Sequence, residues 1–461
     1  MSHVAVLGGG LGGTLAAAAV APHADRVTII ERDALPDRPA PRPGLPQARH
    51  PHTLWSGGVE AIESLLPGMT EQLIAHGAHR IKVPGDAVWW AGTRWVPRAP
   101  GRHYVLSCSR NLLDWVLREQ CLTHVGRGLC LRTGTQALGL VGSRERVTGV
   151  RVRDQQTGAT EVLDAALVID ATGRASRADH WLAELGLPPI PQTTVDWQAG
   201  YATRLFRAPG NSPIVWIQPD FLVGGPARGA MAVPIEDGQW LVTLMGTHGG
   251  APTAEHTQAT AFADFARSAR HPLVAELIDD AEPVGPIHLV RTMRWRRRRC
   301  TGPARTWPDG FAVLGDAAAT FNPVLVQGMS AAALSAAALG EALRDGGPAG
   351  CGPRIQRAVD RVTRRTWLTG QVLNLLYLDA NPSLAVRIIR RLGVRAFDAA
   401  GDWPTLRQAA FDVLSSSAPI TAMLTPRALL AVLRGPLSRP LPGPPLYGQL
   451  PCPADEGTGV R

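Results

Sequence analysis

Three glycines near the start of the chain have the spacing of a phosphate cradle. Gly8, Gly10 and Gly13 follow the apolar stretch 4–7, which we expect to be a strand. Gly8 permits a tight turn, Gly10 lets the backbone approach a pyrophosphate because it has no Cβ, and Gly13 lets the next helix sit close to the sheet. We assign Leu11 to the same turn. The spacing predicts a dinucleotide site, and a plain glycine-rich turn is the alternative.

An acidic residue completes the same unit. A small-residue helix is predicted over 15–20 and a second strand over 27–30, which ends directly before Glu31. A carboxylate at this position accepts hydrogen bonds from the ribose of an adenosine. Arg32 follows it and is assigned to the same site. The order of strand, glycines, helix, strand and acid is more specific than the glycines alone.

A second candidate site lies far downstream. The stretch 311–314 is predicted to be a strand, Asp316 follows it, and an Ala-rich helix is predicted to begin at about Gly328 after a loop that contains Pro323. An aspartate at the end of a strand can hold the ribityl hydroxyls of a flavin. The dipole of the helix then points at a ring that becomes anionic on reduction. The alternative is a buried loop in which Asp316 caps a helix.

With Asp170-x-x-Gly173 between them, these signals resemble the FAD-dependent monooxygenases of the p-hydroxybenzoate hydroxylase fold over roughly residues 1–345. Phrases at 42–52, 170–177, 201–205 and 307–310 are similar to the flavin epoxidases of polyether-antibiotic pathways, which oxidise alkenes in polyketide chains. The decalin-forming [4+2] cyclase of the pyrroindomycin pathway has a related fold.

The resemblance implies a role for each matching residue. Gly8, Gly10, Gly13 and Glu31 would bind the ADP half of FAD, Arg110 would lie beside the ribityl chain and phosphates, and Asp316 would bind the ribityl chain, with Asp170 and Gly173 in the same site. Pro323, Gln327, Gly328 and Met329 would lie against the isoalloxazine, and Arg42 with residues 49–52 would cover its other side. Candidates for a chemical role are His50, His52 and Gln327. The histidines could equally be hydrogen-bonded loop residues, and Arg110 a surface residue at a helix start.

The implied reaction uses a flavin C4a-hydroperoxide that transfers oxygen to an alkene or an electron-rich ring of a large apolar substrate. Alkene epoxidation needs no protein base, so the absence of an obvious acid–base set does not argue against an enzyme. The sequence shows no second glycine-rich nucleotide fold. We therefore expect NADH or NADPH to bind transiently, or a separate flavin reductase to deliver reduced flavin.

One residue departs from the family pattern. Val326 occupies a position where the fold usually has glycine, and we expect a β-branched residue to be unable to take the backbone angles of glycine there. This keeps open a redox-neutral cyclase in which FAD is structural. A flavin halogenase would need an active-site lysine, for which Lys82 is available, but its Trp-x-Trp-x-Ile-Pro phrase is absent. A pure binding or structural protein would leave the cofactor residues without a use.

The expected fold is α/β in the two-domain α+β sense: a Rossmann-like FAD-binding domain, an inserted antiparallel β-sheet substrate domain and a C-terminal helical region. The sheet would line an apolar substrate cavity or form ordinary core. The predicted ranges are 1–85, 101–187 and 291–350 for the FAD-binding domain, 86–100 and 188–290 for the substrate domain, 351–435 for the helical region and 436–461 for a loose tail.

Composition excludes several classes of protein. The net charge is +9, but the base is dispersed, so nucleic-acid binding is not expected. The arginine run, Arg294 with 296–299, is predicted to lie on a solvated face or to attract anions. No apolar stretch reaches the length of about 18 residues that a membrane span needs. No room precedes the first strand for a signal peptide, and a cytoplasmic protein is expected.

The cysteines and the C-terminal helices complete the predictions. The six cysteines contain no C-x-x-C pair, so we expect neither zinc nor disulfides, and Cys108, Cys121 and Cys130 are expected to be core thiols. The basic, amphipathic stretch 384–392 could dock on a membrane surface or a partner enzyme, pack on the FAD-binding domain or form a homodimer interface.

Overall fold

The structure is a computed structural model, and it describes residues 1–197, 199–207, 214–219, 226–247, 249–291, 293–302, 305–347, 350–377 and 382–446. The strands are β1 (Val4–Leu7), β2 (Val27–Ile30), β3 (Thr53–Trp55), β4 (His79–Lys82), β5 (Ala87–Ala91), β6 (Arg94–Trp95), β7 (Tyr104–Ser107), β8 (Leu129–Arg132), β9 (Thr135–Gly142), β10 (Val147–Asp154), β11 (Thr160–Asp164), β12 (Leu167–Asp170), β13 (Gln192–Trp197), β14 (Ala199–Arg207), β15 (Ile214–Ile217), β16 (Ala227–Ile235), β17 (Gln239–Thr247), β18 (Pro283–Val290), β19 (Met293–Arg298) and β20 (Phe311–Val313). The helices are α1 (Leu11–Val20), α2 (Ser56–Leu65), α3 (Met69–Ala75), α4 (Arg110–Val125), α5 (Ala178–Glu184), α6 (Ala259–Arg267), α7 (Leu273–Asp279), α8 (Gly328–Gly346), α9 (Cys351–Tyr377), α10 (Leu384–Ala400), α11 (Pro404–Leu414) and α12 (Pro426–Arg434).

A five-stranded parallel sheet brings the sequence-predicted residues to one edge. Its strand order is β20-β12-β1-β2-β8, and each neighbouring pair is parallel. Every residue of β1, β2, β12 and β20 is buried, as expected for continuous apolar strands covered on both faces. The strands end beside Gly8, Glu31, Asp170 and Leu314. In parallel sheets the crevice at the carboxyl ends of the strands is where ligands bind.

Small residues let two helices approach each other beside this sheet. A Cβ added at Gly340 of α8 would lie 3.3 Å from the carbonyl oxygen of Ala19 in α1. The alanine-rich sequences of both helices therefore serve close packing, which places the N-termini of α1 and α8 on the same crevice.

The structure also contains a larger, mainly antiparallel sheet. Its order is β18-β14-β17-β16-β15-β5-β6, with β15 and β5 paired in parallel. The hairpin β5–β6 thus extends a sheet whose other strands come from residues 199–290, more than 100 positions further along the chain. Asp237 and Gly238 both have positive φ in the turn between β16 and β17, as a tight hairpin turn requires.

The expected fold class is confirmed: a Rossmann-like parallel sheet, antiparallel sheets and helices together form an α/β fold. The domain boundaries stay a prediction. Helices α9 to α12 make up most of the C-terminal region. Within the part of the chain described, no helix is long and apolar enough to cross a membrane.

Some elements differ from those that the sequence pattern predicts. The pattern at 53–66 predicts one helix, but its first residues form β3 because they pair with β7. The apolar stretch 163–171 predicts one strand, but it contains the end of β11 and then β12. The pattern at 259–270 predicts one helix, but α6 ends at Arg267 and α7 follows. The tryptophans of the β5–β6 hairpin suggest one face of a sheet, but they lie on two: Trp89 stacks on Trp216, and Trp90 contacts Trp95 in a separate core.

Two further expectations were wrong. Cys130 is exposed on the edge strand β8, whereas Cys108 and Cys121 are buried. The arginine run is not uniformly solvated, since only 2% of Arg298 is exposed. The loose tail stays a prediction; at its start the backbone N–H groups of Leu437 and Ser438 donate to Asp402 at 2.9 and 3.1 Å. Residues 447–461, with Cys452, lie outside the described residues.

Candidate flavin site

One cavity of about 670 Å³ extends from the glycine turn to the seven-stranded sheet. Most of the sequence-predicted site residues line it: Gly8, Gly10, Leu11, Glu31, Arg32, Arg42, His50, His52, Arg110, Gly173, Asp316, Pro323, Gly328 and Met329. Gly13, Asp170 and Gln327 are not among its lining residues. Two stretches of the chain about 300 residues apart in sequence therefore meet at one site, as the sequence predicts.

The glycine turn has the shape that a pyrophosphate needs. Gly8 has φ +98°, and a Cβ added at Gly13 would lie 1.8 Å from the carbonyl oxygen of Gly8, so both positions require glycine. Gly10 is different, because the nearest atom to an added Cβ is a guanidinium nitrogen of Arg42 at 3.5 Å. Gly10 therefore leaves open the space at the start of α1, where free N–H groups and the helix dipole favour an anion.

The carboxylate of Glu31 holds this turn in place. Its Oε2 accepts a hydrogen bond from the Gly9 N–H at 2.6 Å, and its Oε1 accepts one from the Asp33 N–H at 2.9 Å. A carboxylate has about four lone-pair sites, so Glu31 can accept hydrogen bonds from ribose hydroxyls as well. The position suits the adenosine half of a dinucleotide.

Arg42 lies at the adenosine end of the cavity and not, as expected, over the ring end. Its guanidinium is 3.0 Å from Asp114, 3.5 Å from Asp33 and 3.6 Å from Glu31. These carboxylates hold the Arg42 side chain beside Gly10. A cation in this place can neutralise a pyrophosphate, which is a stronger role than covering a neutral ring.

Arg110 offers a buried hydrogen-bond donor to the middle of the cavity. It is the first residue of α4, whose N-cap Ser109 accepts a hydrogen bond from the Leu112 N–H at 3.1 Å. Its guanidinium is 3.6 Å from Asp114, and among the described residues its buried Nε has no hydrogen-bond partner. A buried donor without a partner is costly, and an anionic or hydroxyl-bearing ligand would satisfy it.

Asp316 lines the same cavity as Arg110 and follows the end of β20. Burial raises the pKa of its carboxyl, and the positive charges of Arg174, Arg110 and Arg296 act in the opposite direction. A carboxyl in this environment gains from hydrogen bonds, which the hydroxyls of a ribityl chain would donate. The geometry fits FAD along the whole cavity, with its phosphates at Gly10 and its ring beyond Asp316.

Two of the three predicted residues outside the lining, Asp170 and Gln327, stabilise neighbouring turns through hydrogen bonds. Asp170 accepts hydrogen bonds from Thr172 N–H at 2.9 Å, Thr172 Oγ1 at 2.6 Å and Ser176 Oγ at 2.6 Å. Gln327, expected against the ring, donates instead to the carbonyls of Val413 and Leu414 at 3.0 and 3.1 Å. It joins the loop before α8 to the end of α11, so it positions this loop without lining the cavity.

The loop before α8 contains a strained residue. Val326 has φ 53° and ψ 28°, which is the left-handed region, so the expectation that valine could not take these angles was wrong. A β-branched residue in this region costs about 1–3 kcal/mol. The side chain is half-buried and lines the cavity. The fold thus keeps the backbone of this loop while adding an isopropyl group to the wall of the site.

His50 and His52 are both neutral at pH 7. His50 is buried, its Nδ1 is 2.8 Å from Thr203 Oγ1, and burial lowers its pKa to about 4. Burial also lowers the pKa of His52 to about 3, and the charge of Arg110 acts in the same direction. His52 Nδ1 must donate to the His50 carbonyl at 2.7 Å, because a carbonyl only accepts. His52 Nε2 therefore carries a lone pair and can accept a hydrogen bond, but neither ring is an acid catalyst at neutral pH.

The pKa of His50 predicts a pH-dependent stability. Between about pH 6.5 and 4 the unfolded chain binds a proton at this position and the folded protein does not. The free energy of unfolding therefore decreases as the pH is lowered through this range. We expect this residue to remove about 2 kcal/mol from the free energy of unfolding between pH 7 and pH 5. In His50→Gln, the difference between the free energies of unfolding at pH 7 and pH 5, measured by urea unfolding, should be smaller by that amount. An unchanged dependence would contradict a neutral, buried His50.

The far end of the cavity is formed by the seven-stranded sheet. Its lining side chains there are largely apolar or aromatic: Tyr201, Trp216, Met231, Thr243 and Met245. The ring of Tyr201 makes an edge contact with His50 at 4.6 Å between centroids. Thr203 Oγ1 lies 2.7 Å from Thr243 Oγ1, which fixes His50 to this wall. The sheet thus supplies both cavity wall and core, the two uses that the sequence left open.

Sequence reasoning missed several residues that shape the site. Asp114 orients both Arg42 and Arg110, and its spacing of four residues from Arg110 on a helix was the available signal. Arg174 lines the cavity, and Thr203 supports His50. The matching phrase 201–205 contains Thr203 but gives it no role, because the partner of Thr203, His50, is 153 positions away in sequence.

A Ser-His-Asp arrangement also exists, but it is not at the cavity. His103 Nδ1 lies 2.8 Å from Ser56 Oγ, and its Nε2 lies 2.6 Å from Asp412 Oδ1. Ser56 and His103 are buried, and neither lines the cavity. These hydrogen bonds therefore join α11 to α2, and Ser56 does not serve as a nucleophile. The described residues also contain no cluster that could hold a metal ion.

Comparison with known proteins agrees with this geometry. A family model described as an FAD binding domain matches residues 1–345. Protein Rv3254 of Mycobacterium tuberculosis is 30% identical over 397 residues, 82% of this chain and 81% of its own. Kynurenine 3-monooxygenase of Salinispora tropica is 28% identical over 357 residues, 74% of this chain and 72% of its own.

Solved structures share the fold at low identity. The flavin-dependent brominase Bmp2 has a TM-score of 0.64 at 16% identity, covering 93% of this chain and 97% of its own. The Diels-Alderase PyrE3 of pyrroindomycin biosynthesis has a TM-score of 0.60 at 17% identity, covering 90% of this chain and 80% of its own. The family model spans most of the chain, and the cavity is surrounded by the glycine turn, Glu31 and Asp316. The protein therefore belongs to the FAD-binding monooxygenase family.

Proposed function

We propose that the protein is an FAD-dependent monooxygenase that epoxidises or hydroxylates a large, apolar natural-product intermediate of the polyketide type. The observation that carries this proposal is the continuity of the cavity. The same space runs from the phosphate turn, past Asp316 and the loop before α8, to the apolar wall at Trp216 and Met245. A cofactor and an apolar substrate would therefore meet within one enclosure. The alkene-oxidising epoxidases that the sequence resembles point to the polyketide class.

The residues of the chain would bind, orient and exclude water. Gly8 to Gly13, Glu31, Arg42 and Arg110 would hold the ADP half and the phosphates, and Asp316 would hold the ribityl chain. Bound FAD would supply the redox chemistry, with electrons from NADH, NADPH or a separate flavin reductase and oxygen from dioxygen. The neutral His50 and His52, with Tyr201, would keep the substrate end dry without placing a charge there. No side chain needs to act as a base.

Val326 supports a second candidate function, a redox-neutral cyclase of the [4+2] type that uses FAD as part of the pocket wall. Its isopropyl group lines the cavity on the loop next to α8, where the fold usually has glycine. Bulk at this place would hinder dioxygen or a reductant at the ring while leaving the apolar enclosure intact. A halogenase has no such support, because Lys82 is exposed and does not line the cavity.

One experiment separates the two candidates. The FAD-loaded protein is mixed without oxygen with NADH or NADPH, and with dithionite as a chemical reductant, and the oxidised flavin band is followed. A monooxygenase then consumes oxygen and oxidises an alkene-bearing polyketide when air is admitted. Turnover of a polyene substrate to a cyclic isomer by the oxidised protein without reductant would instead establish the cyclase and refute the monooxygenase.

Val326→Gly tests the role of the loop directly. The change removes the isopropyl group and the left-handed strain, so we expect the reduced flavin to react with oxygen about tenfold faster, a barrier lower by about 1.4 kcal/mol. Stopped-flow absorbance measures the rate. The matched control is Val324→Gly, which also opens the cavity wall but has an ordinary backbone. Equal rates in Val326→Gly and the wild type would show that Val326 does not slow the reaction of the reduced flavin with oxygen.

A further inference from the structure

The exposed apolar side chains of this protein are concentrated in its last quarter. Among the described residues, the large hydrophobic side chains that stand out into solvent before position 368 are Ile74 and Val162. From position 368 onward they follow one another along α9, α10 and α12. We define the C-terminal apolar surface as the exposed residues of these helices: Leu368, Val372, Leu375, Leu384, Ile388, Ile389, Leu392, Leu429, Leu430 and Leu433.

These residues lie on helices that are joined to one another. Arg390 of α10 donates from Nε to the carbonyl of Leu375 at 3.0 Å, so the end of α9 meets the middle of α10. Arg395 donates to the carbonyls of Val432 and Leu433 at 2.7 and 2.8 Å, so the end of α12 meets α10 further along. The inner face of α10 is occupied, since Val394 is buried with Trp367. The outward apolar residues are thus not needed for the core.

The exposed charge on the same helices has one sign. Helix α9 carries five arginines, α10 carries four and α12 carries two. The acids in these helices are Asp360 and Asp398, and both are buried: Asp360 accepts from Thr301 and Asp398 from Thr93. The exposed Arg387 and Arg391 lie next to Ile388 and Leu392 in sequence, and the exposed Arg364 lies four positions before Leu368. Two copies of this surface would bring cations together around a twofold axis, which disfavours a homodimer here.

We infer that the C-terminal apolar surface docks on a lipid bilayer that carries anionic headgroups. Apolar residues that alternate with arginines on a helix face suit insertion of leucines at the headgroup boundary while the guanidiniums stay at the phosphates. None of these residues lines the flavin cavity. Docking is therefore independent of the proposed oxygenation, and a membrane surface is also where a large apolar substrate accumulates.

The test uses the full-length, FAD-loaded protein and sedimentation with vesicles. One set of vesicles contains phosphatidylglycerol and phosphatidylcholine, and the other contains phosphatidylcholine alone. We expect binding to the anionic set, weakened at least about tenfold by high salt. The double variant Leu384→Ser with Ile388→Ser should lose about tenfold or more in vesicle affinity. Its matched control is Val162→Ser, which removes an exposed apolar side chain on β11. Flavin absorbance and thermal unfolding confirm that each variant is folded.

The remaining outcomes overturn the inference. Equal binding to neutral vesicles would show that charge plays no part. Equal loss in Val162→Ser would show that the effect is not local to the C-terminal helices. Absence of binding to either set, or a particle mass in solution that doubles in the wild type and not in the double variant, would show that another occupant covers the surface. Each of these results leaves the proposed oxygenation untouched, because flavin content and reduction are read separately.

Discussion

Gly10→Val should yield folded protein that contains almost no FAD. The position tolerates a side chain as far as the polypeptide is concerned, because its φ is −83° and an added Cβ meets only Arg42 at 3.5 Å. The added isopropyl group would nevertheless occupy the space at the start of α1 that a pyrophosphate needs. We expect flavin content below about a tenth of that of the wild type, measured by absorbance after extraction.

Two further glycine variants show whether the loss is specific. Gly13→Val places a Cβ 1.8 Å from the Gly8 carbonyl and should fail to fold. Gly128→Val puts its Cβ 3.9 Å from its nearest neighbours, outside the cavity, and should keep full flavin. Full flavin in folded Gly10→Val would mean that the phosphates bind elsewhere.

Arg298→Met should both destabilise the protein and weaken FAD binding. Arg298 is buried and donates to Asp179 at 2.9 Å, to Ser176 Oγ at 2.9 Å and to the carbonyl of Ala317 at 2.5 Å. It thereby joins β19 to the two turns that carry Asp170 and Asp316. Because Asp179 is partly exposed and can be rehydrated, we expect a loss of about 2–3 kcal/mol in the free energy of unfolding.

The neighbouring Arg299 provides the control. Its side chain is exposed, so Arg299→Met should change the free energy of unfolding by less than about 0.5 kcal/mol. Thermal unfolding and FAD titration of the two variants measure stability and affinity together. Similar behaviour of Arg298→Met and Arg299→Met would contradict a structural role for the buried guanidinium.

The sequence could predict the cofactor end of the site because its signals are local. The spacing of Gly8, Gly10 and Gly13 has a backbone reason, and parallel strands bring their ends to one edge whatever lies between them. That is why Glu31 and Asp316, far apart in sequence, could both be placed in the site. The fold class followed from the same strand and helix patterns.

Other features depend on long-range contacts that leave no local pattern. Arg298 belongs to a run of arginines that composition suggests is solvated, and only its partners on distant turns make it a buried junction. Arg42 was expected at the ring, but three carboxylates hold it at the adenosine end. The conformational preference of valine argued against left-handed backbone angles at Val326. The surrounding loop nevertheless holds this residue in the left-handed region, at a cost in strain.

The most direct test of the central claim is a crystal structure of the protein with FAD. We expect the pyrophosphate at Gly10 and the N-terminus of α1, the adenosine ribose at Glu31, the ribityl chain at Asp316 and the isoalloxazine beside Val326 and Met329, facing the wall that contains Trp216. A flavin in the opposite direction, or one bound outside this cavity, would contradict the account.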